Sequence, residues 1–239
     1  MHRISKGEEP RHFTDWKNKF RTDNGREPTY DDLRGTAEYY HLKRSLLEEQ
    51  GYICCYCEKA IGRGSDAKDC NIEHFMPRHP DSRCLSSEEC QICSNAELDY
   101  SNLFASCLGE KQESTDHCNH KKDNWFDFKC CISPASTEIE GIFGFRLNGK
   151  IFAVDNNPAA EAMKQHLNLD TYILQEQRKA AYDTVLETEF TNEELEDADL
   201  LEDEQYLLDT IAYYEQKDEN GKYTPFTSMI TYCLREYEL

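Results

Sequence analysis

"NIEHFMP", residues 71–77, sets a carboxylate, Glu73, against an imidazole, His74, with Pro77 three residues further on. On its own an acid beside a histidine is an ordinary solvated surface pair, so the surroundings decide its meaning. Twelve cysteines occur in 239 residues; eleven fall between Cys54 and Cys131, and Cys233 stands apart. Thiols spread evenly through a short secreted chain suggest disulfides. Clustered thiols behind a start, "MHRISKGEEPRHF", without an apolar leader suggest metal ligands in a reducing cytoplasm.

Cys54 and Cys57 form a C-x-x-C pair, with Cys55 as filler. Two thiolates at that spacing on a tight turn both reach one tetrahedral zinc ion. A four-thiolate site needs a second pair, and two candidates exist. Cys90 and Cys93 have the ideal spacing, whereas Cys107 and Cys118 are separated by the ten residues "LGEKQESTDH". A structural zinc contributes on the order of 10 kcal/mol to folding a small loop-rich unit.

The formal net charge is −20, and a polyanion is repelled by so acidic a body. The charge is uneven, however. Residues 1–50 carry ten acids and ten bases, while residues 186–219 carry fourteen acids against Lys217 alone and so supply −13 of the −20. The acidity belongs mainly to one tract and leaves room for a nucleic-acid site elsewhere. No run of 18 apolar residues is present, so no spanning helix is expected.

The chain divides into a helical region over 1–50, a cysteine-rich centre over 51–131, and a region over 132–239 that opens with a hairpin and continues as acidic helices. Leu42, Leu46 and Leu47 recur at helical spacing, with Gly51 as the stop. "GYICCYC" and "NIEHF" suggest short strands. "IFGFRLNGKIFAVD" alternates around Asn148-Gly149, a hairpin signal in which both turn residues take positive φ. "AAEAMKQHLNLDTYILQEQRKAAYDTVLETEF" reads as helix, and Leu200, Leu201, Leu207, Leu208 and Ile211 give the acidic helix after it an apolar face. A last helix follows the break at "ENGKYTPF".

"YSNLFASC", residues 100–107, and "HCNHKKD", residues 117–123, complete an order: Cys54-x-x-Cys57, Glu73-His74 with Pro77, Asn102-Leu103, Cys107, then Cys118-Asn119 followed by lysines. This resembles an HNH endonuclease of the ββα-metal class with a zinc knuckle. The implied fold class is α+β, a ββα-metal core embedded between helical N- and C-terminal regions. "KGEEPRHFTDW", "LLEEQGYICCYCEKAI", "NIEHFMPR", "LDYSNLFASC" and "LNLDTYILQEQR" extend the resemblance over most of residues 5–180. Together they are similar to the PtuB-type HNH proteins of Septu and retron-linked antiphage systems. The family's second cysteine pair is close-spaced; here ten residues stretch it, and His117 can replace one thiolate.

The resemblance implies a site. His74 is the general base, neutral at cytoplasmic pH. Glu73 is a ligand for Mg²⁺ or Mn²⁺, a glutamate where the family usually has aspartate. Alternation along a strand sends Glu73 and His74 to opposite faces, so a twisted strand end is needed to bring them together. Asn102 braces the loop that carries the base. Asn119 is the further metal ligand, with His120, one step round the helix, as its rival. Cys54, Cys57, Cys107 and Cys118 hold structural Zn²⁺. Cys84, Cys90 and Cys93 lie outside the shared pattern, and with Cys70, Cys130 or Cys131 they make a candidate second zinc site. The implied partner is an ABC/SMC-like ATPase of the PtuA type, in a retron setting alongside reverse transcriptase and msDNA. The implied substrate is DNA, or RNA such as tRNA. Two other readings stand beside this one: a catalytically inactive zinc-stabilised adaptor whose acidic helix binds a basic partner, and a DNA mimic.

Overall fold

A computed structural model describes residues 1–64, 67–82, 84–110, 112–190 and 204–236. It opens with three helices, α1 (Arg11–Asn24), α2 (Tyr30–Leu33) and α3 (Ala37–Glu49). Thr36 caps α3 by accepting from the Tyr39 amide. At the other end Gly51 takes φ +61, the left-handed conformation that stops a helix. Leu42, Leu46 and Leu47 are buried as their spacing predicts. The same helix also buries Lys43, whose Nζ donates to the Ala67 carbonyl.

The centre holds β1 (Cys70–His74), α4 (Ser87–Asn95), β2 (Leu103–Cys107) and α5 (Cys118–Lys122). β1 and β2 pair antiparallel, with Cys70 opposite Cys107 and His74 opposite Leu103, and α5 packs against β2. The free edge of β2 is covered. Gln50 accepts from the Ala105 amide and donates to the Ala105 carbonyl, which also receives the Cys55 amide. Such cover removes an exposed strand edge and docks the end of α3 on the sheet. "GYICCYC" is not a strand. It makes one isolated bridge, Ile53 to Ala60, because the chain turns tightly enough for the Glu58 amide to reach the Cys54 carbonyl.

The remaining elements are β3 (Phe143–Phe145), β4 (Ile151–Ala153), α6 (Pro158–His166), α7 (Tyr172–Glu189), α8 (Glu204–Tyr214) and α9 (Thr227–Arg235). The hairpin forms as its alternation predicts, but its turn differs. Gly149 alone takes positive φ, +81, because the Arg146 amide bonds the Lys150 carbonyl and closes a three-residue loop. A Cβ at Gly149 would lie 2.0 Å from the Gln175 carbonyl oxygen, so the loop also needs glycine for its packing.

The helical run after Pro158 is two helices rather than one. Asn168 takes φ +50, and Thr171 caps α7. The break lets the Leu167 carbonyl accept the Cys118 amide, and Asn168 Nδ2 donates to the Asp116 carbonyl. A joint between distant helices thus clasps the start of α5. In α8, Leu207 and Ile211 are buried, whereas Leu208 is exposed and lies off the apolar face expected of it. Leu200 and Leu201, with the tract 191–203, lie outside the described residues. One hydrophobic core takes residues from all three stretches, among them Leu46, Phe104, Tyr182 and Ile230. Among the described residues no helix is long and apolar enough to cross a membrane.

Candidate functional site

Four thiols meet where three segments converge. Cys54 and Cys57 come from the turn after α3, Cys107 from the end of β2 and Cys118 from the first turn of α5. All four are buried, with their sulfurs within 4.8 Å of one another. Sulfurs on a zinc ion at about 2.3 Å stand about 3.8 Å apart along a tetrahedral edge, and Cys57 Sγ lies 3.8 Å from Cys107 Sγ. Of the two candidate second pairs the fold therefore selects the stretched one. Gly109 closes the intervening loop, since a Cβ there would lie 2.3 Å from the Asp116 carboxylate. Cys118 itself takes φ +59, a conformation that costs a non-glycine residue about 1–2 kcal/mol.

Burial pushes the Cys54 thiol up, and hydrogen bonds from Cys107 and Cys118 overcome it, so Cys54 is drawn down as the shared acceptor. Burial drives Cys118 well above the usual thiol range; for Cys107 the hydrogen bond with Cys118 pulls down, but those with Cys54 and Cys57, together with burial, carry it well above that range. Thiols packed this way favour a cation that removes their protons, and the donor set is the one zinc takes.

His117 is fully buried and, among the described residues, neither ring nitrogen has a hydrogen-bond partner, yet it lies outside the group of converging ligand atoms. Cys55 is buried beside the cluster but also outside it. Among the described residues no second group of three ligands converges. Cys90 and Cys93 ride on α4, Cys84 is exposed, and Cys70, Cys130 and Cys131 bond locally to Ala67 or Asp127.

The sheet and α5 frame a cavity of about 330 Å³ whose lining includes Glu73, His74, Asn119 and His120. Glu73 and His74 therefore share it despite their alternation, at the end of β1. Tyr30 and Arg78 line it as well. His74 is 8 % exposed, and its Nε2 lies 3.0 Å from the Glu97 carbonyl oxygen. A carbonyl only accepts, so that nitrogen carries the proton and Nδ1 keeps the lone pair. Burial pushes the His74 pKa down to about 3, and the charges of Arg78 and Lys122 push the same way. The ring is thus held neutral, with the Nδ1 lone pair unprotonated.

Asn102 does not line the cavity. Its Oδ1 accepts from the Met76 amide at 2.7 Å, and its Nδ2 donates to the Met76 and Ala96 carbonyls. It ties the loop after His74 to the segment before β2. Asn119 and His120 both line the cavity, and among the described residues only His120 has a carboxylate behind it. Its Nδ1 meets Asp116, whose other oxygen accepts from the His117 amide. A carboxylate fixing one ring nitrogen leaves the other aimed outward, the arrangement that orients a metal-binding histidine.

Asp116, which backs His120, was missed in sequence; its place four residues before His120, just ahead of a short helix, was the available signal. Tyr56 was missed too, and so was the burial of Lys122 against Glu73. Tyr56 OH donates to Glu73 Oε1 at 2.9 Å, and Lys122 Nζ pairs with the same oxygen at 3.0 Å while donating to the His74 carbonyl at 2.9 Å. Lys122 is 3 % exposed.

No family model matches this chain. Over 193 residues it is 25% identical to an Escherichia coli protein described as "Retron Ec83 putative HNH endonuclease", covering 68% of this chain and 69% of that protein. The likeness runs in the same direction as the cavity and the cysteine cluster.

Proposed function

We propose that this chain is a metal-dependent HNH endonuclease that hydrolyses phosphodiester bonds, built on a ββα-metal core and acting as the effector of a retron-linked antiphage complex. One observation carries the reading: a neutral buried imidazole, a carboxylate, an amide and a carboxylate-backed histidine line one cavity beside four converging thiols. Those groups fit a divalent ion of the Mg²⁺ or Mn²⁺ kind, held by Glu73 with His120 or Asn119, which would supply electrophilic stabilisation of a phosphate and its leaving oxygen.

The chain's own residues do the rest. His74 takes a proton from water through the ring nitrogen that Glu97 leaves free. Asn102 fixes the loop behind it. Arg78 places a cation at the rim to meet phosphate oxygens. The cysteine cluster, holding zinc, anchors α5 to β2. The acidic surface of α8 and the tract before it contacts a basic face of an ABC/SMC-like ATPase partner, which then captures the nucleic acid that an acidic body repels.

The test is to purify the chain with that ATPase and offer labelled duplex DNA, single strands and tRNA with Mg²⁺, using wild type and His74→Ala. Loss of cleavage by about 10²–10⁴ in the variant supports the reading, the range a general base contributes. Equal cleavage by both proteins removes His74 as the base, and no cleavage by either favours the inactive adaptor.

A further inference from the structure

The two donors that hold Glu73 both come from the cysteine cluster's own segments. Tyr56 lies inside the Cys54–Cys57 turn. Lys122 follows Cys118 by four residues, one turn along α5. Both address Oε1 of Glu73, and Glu73 lines the cavity. Lys122 also grips the His74 carbonyl, so the backbone of the base and the side chain of the acid share one anchor. Glu73 and Lys122 are 5 % and 3 % exposed, so the pair is buried and its geometry is fixed by packing. The third segment of the cluster closes the loop, since Cys107 pairs in register with Cys70 at the start of β1, the strand that carries Glu73.

We propose that Tyr56 and Lys122 are positioning residues that carry the order of the cysteine cluster into the ion-binding pose of Glu73. The inference rests on the reading of the cavity as a divalent-ion site. A loosened cluster moves the Cys54–Cys57 turn and the first turn of α5, and both donors move with them. Glu73 then turns on its side-chain torsions and loses its pose at the cavity. The zinc site is in this way a determinant of the second metal's affinity as well as a staple for the fold. Groups that orient a metal ligand from behind typically matter by about 10–100-fold in affinity or activity.

Mn²⁺ titration of the full chain, followed by electron paramagnetic resonance of the free ion, tests this, with zinc content and thermal unfolding measured on the same samples. Tyr56→Phe removes one hydroxyl and little else. The expected result is unchanged zinc, a retained melt and Mn²⁺ affinity weakened about tenfold, with cleavage recovering as Mn²⁺ is raised. Lys122→Met is expected to weaken Mn²⁺ binding further, and Tyr56→Phe decides the matter if that variant does not fold. Wild-type preparations loaded with increasing zinc should bind Mn²⁺ in proportion to zinc occupancy. A folded, zinc-replete Tyr56→Phe protein with wild-type Mn²⁺ affinity overturns the inference alone. A wild type that binds no Mn²⁺ overturns the ion site on which it rests.

Discussion

Cys54 and Cys57 share their spacing with Cys90 and Cys93, yet the two pairs end in different surroundings. The first pair sits on a tight turn that the rest of the chain encloses, where β2 and α5 each deliver one more thiol to the same point. The second pair rides on α4, opened by a capping box between Ser86 and Glu89. There the helix backbone fixes the residues, and no further ligand joins them among the described residues. Spacing supplies two ligands in either case. Topology supplies the third and fourth, and it does so where a strand end and a helix start already meet.

The largest expected effect breaks this comparison directly. Cys118→Ser should remove zinc and unfold the central region, an effect on the order of 10 kcal/mol. Cys90→Ala with Cys93→Ala should cost about 1–2 kcal/mol through lost packing and leave zinc at one ion per chain. Elemental analysis and denaturant titration on both proteins read the contrast. Equal losses would make the pairs equivalent.

A second contrast lies on α5. Lys121 is exposed and its neighbour Lys122 is buried. Lys122→Met strands the buried Glu73 carboxylate and should cost about 3–5 kcal/mol, whereas Lys121→Met should be within about 0.5 kcal/mol of wild type. Paired urea denaturation curves measure the gap, and its absence would show that the Glu73–Lys122 contact contributes nothing net.

Cys54 and Cys57 were legible from their spacing, Cys107 and Cys118 were implied by the resemblance to HNH endonucleases, and the short hairpin at Gly149 was legible from its alternation. What escaped was whatever tertiary contact decides. Two lysines on a five-residue helix look solvated in sequence, and only the packed fold buries one against Glu73. Tyr56 within Cys-Cys-Tyr-Cys looks like spacer because its partner is seventeen residues away. The break between α6 and α7 carries no glycine or proline; Asn168 adopts a left-handed conformation there and ties Asp116. α1 buries only Phe13, so its apolar periodicity is faint. Leu208 turned outward because α8 buries a narrower stripe, Leu207, Thr210, Ile211 and Tyr214, than its leucine count suggests.

The smallest effect is a pH dependence at His74. Its folded pKa, near 3, lies below the ordinary value of 6.5, so the fold favours the neutral ring. The stability this group contributes is present above pH 6.5 and is lost as pH falls towards 3. By pH 5 the loss is about 2 kcal/mol. His74→Asn should flatten the stability curve of the ion-free protein over that window, and a parallel curve would place the titration elsewhere.

Zinc-edge X-ray absorption on the purified chain tests the central contrast most directly, because it counts the atoms around the ion. The expected result is a single shell of four sulfurs at about 2.3 Å, unchanged when Cys84, Cys90 and Cys93 are replaced by serine. A shell containing nitrogen from His117, or one that changes in the serine variant, would contradict it.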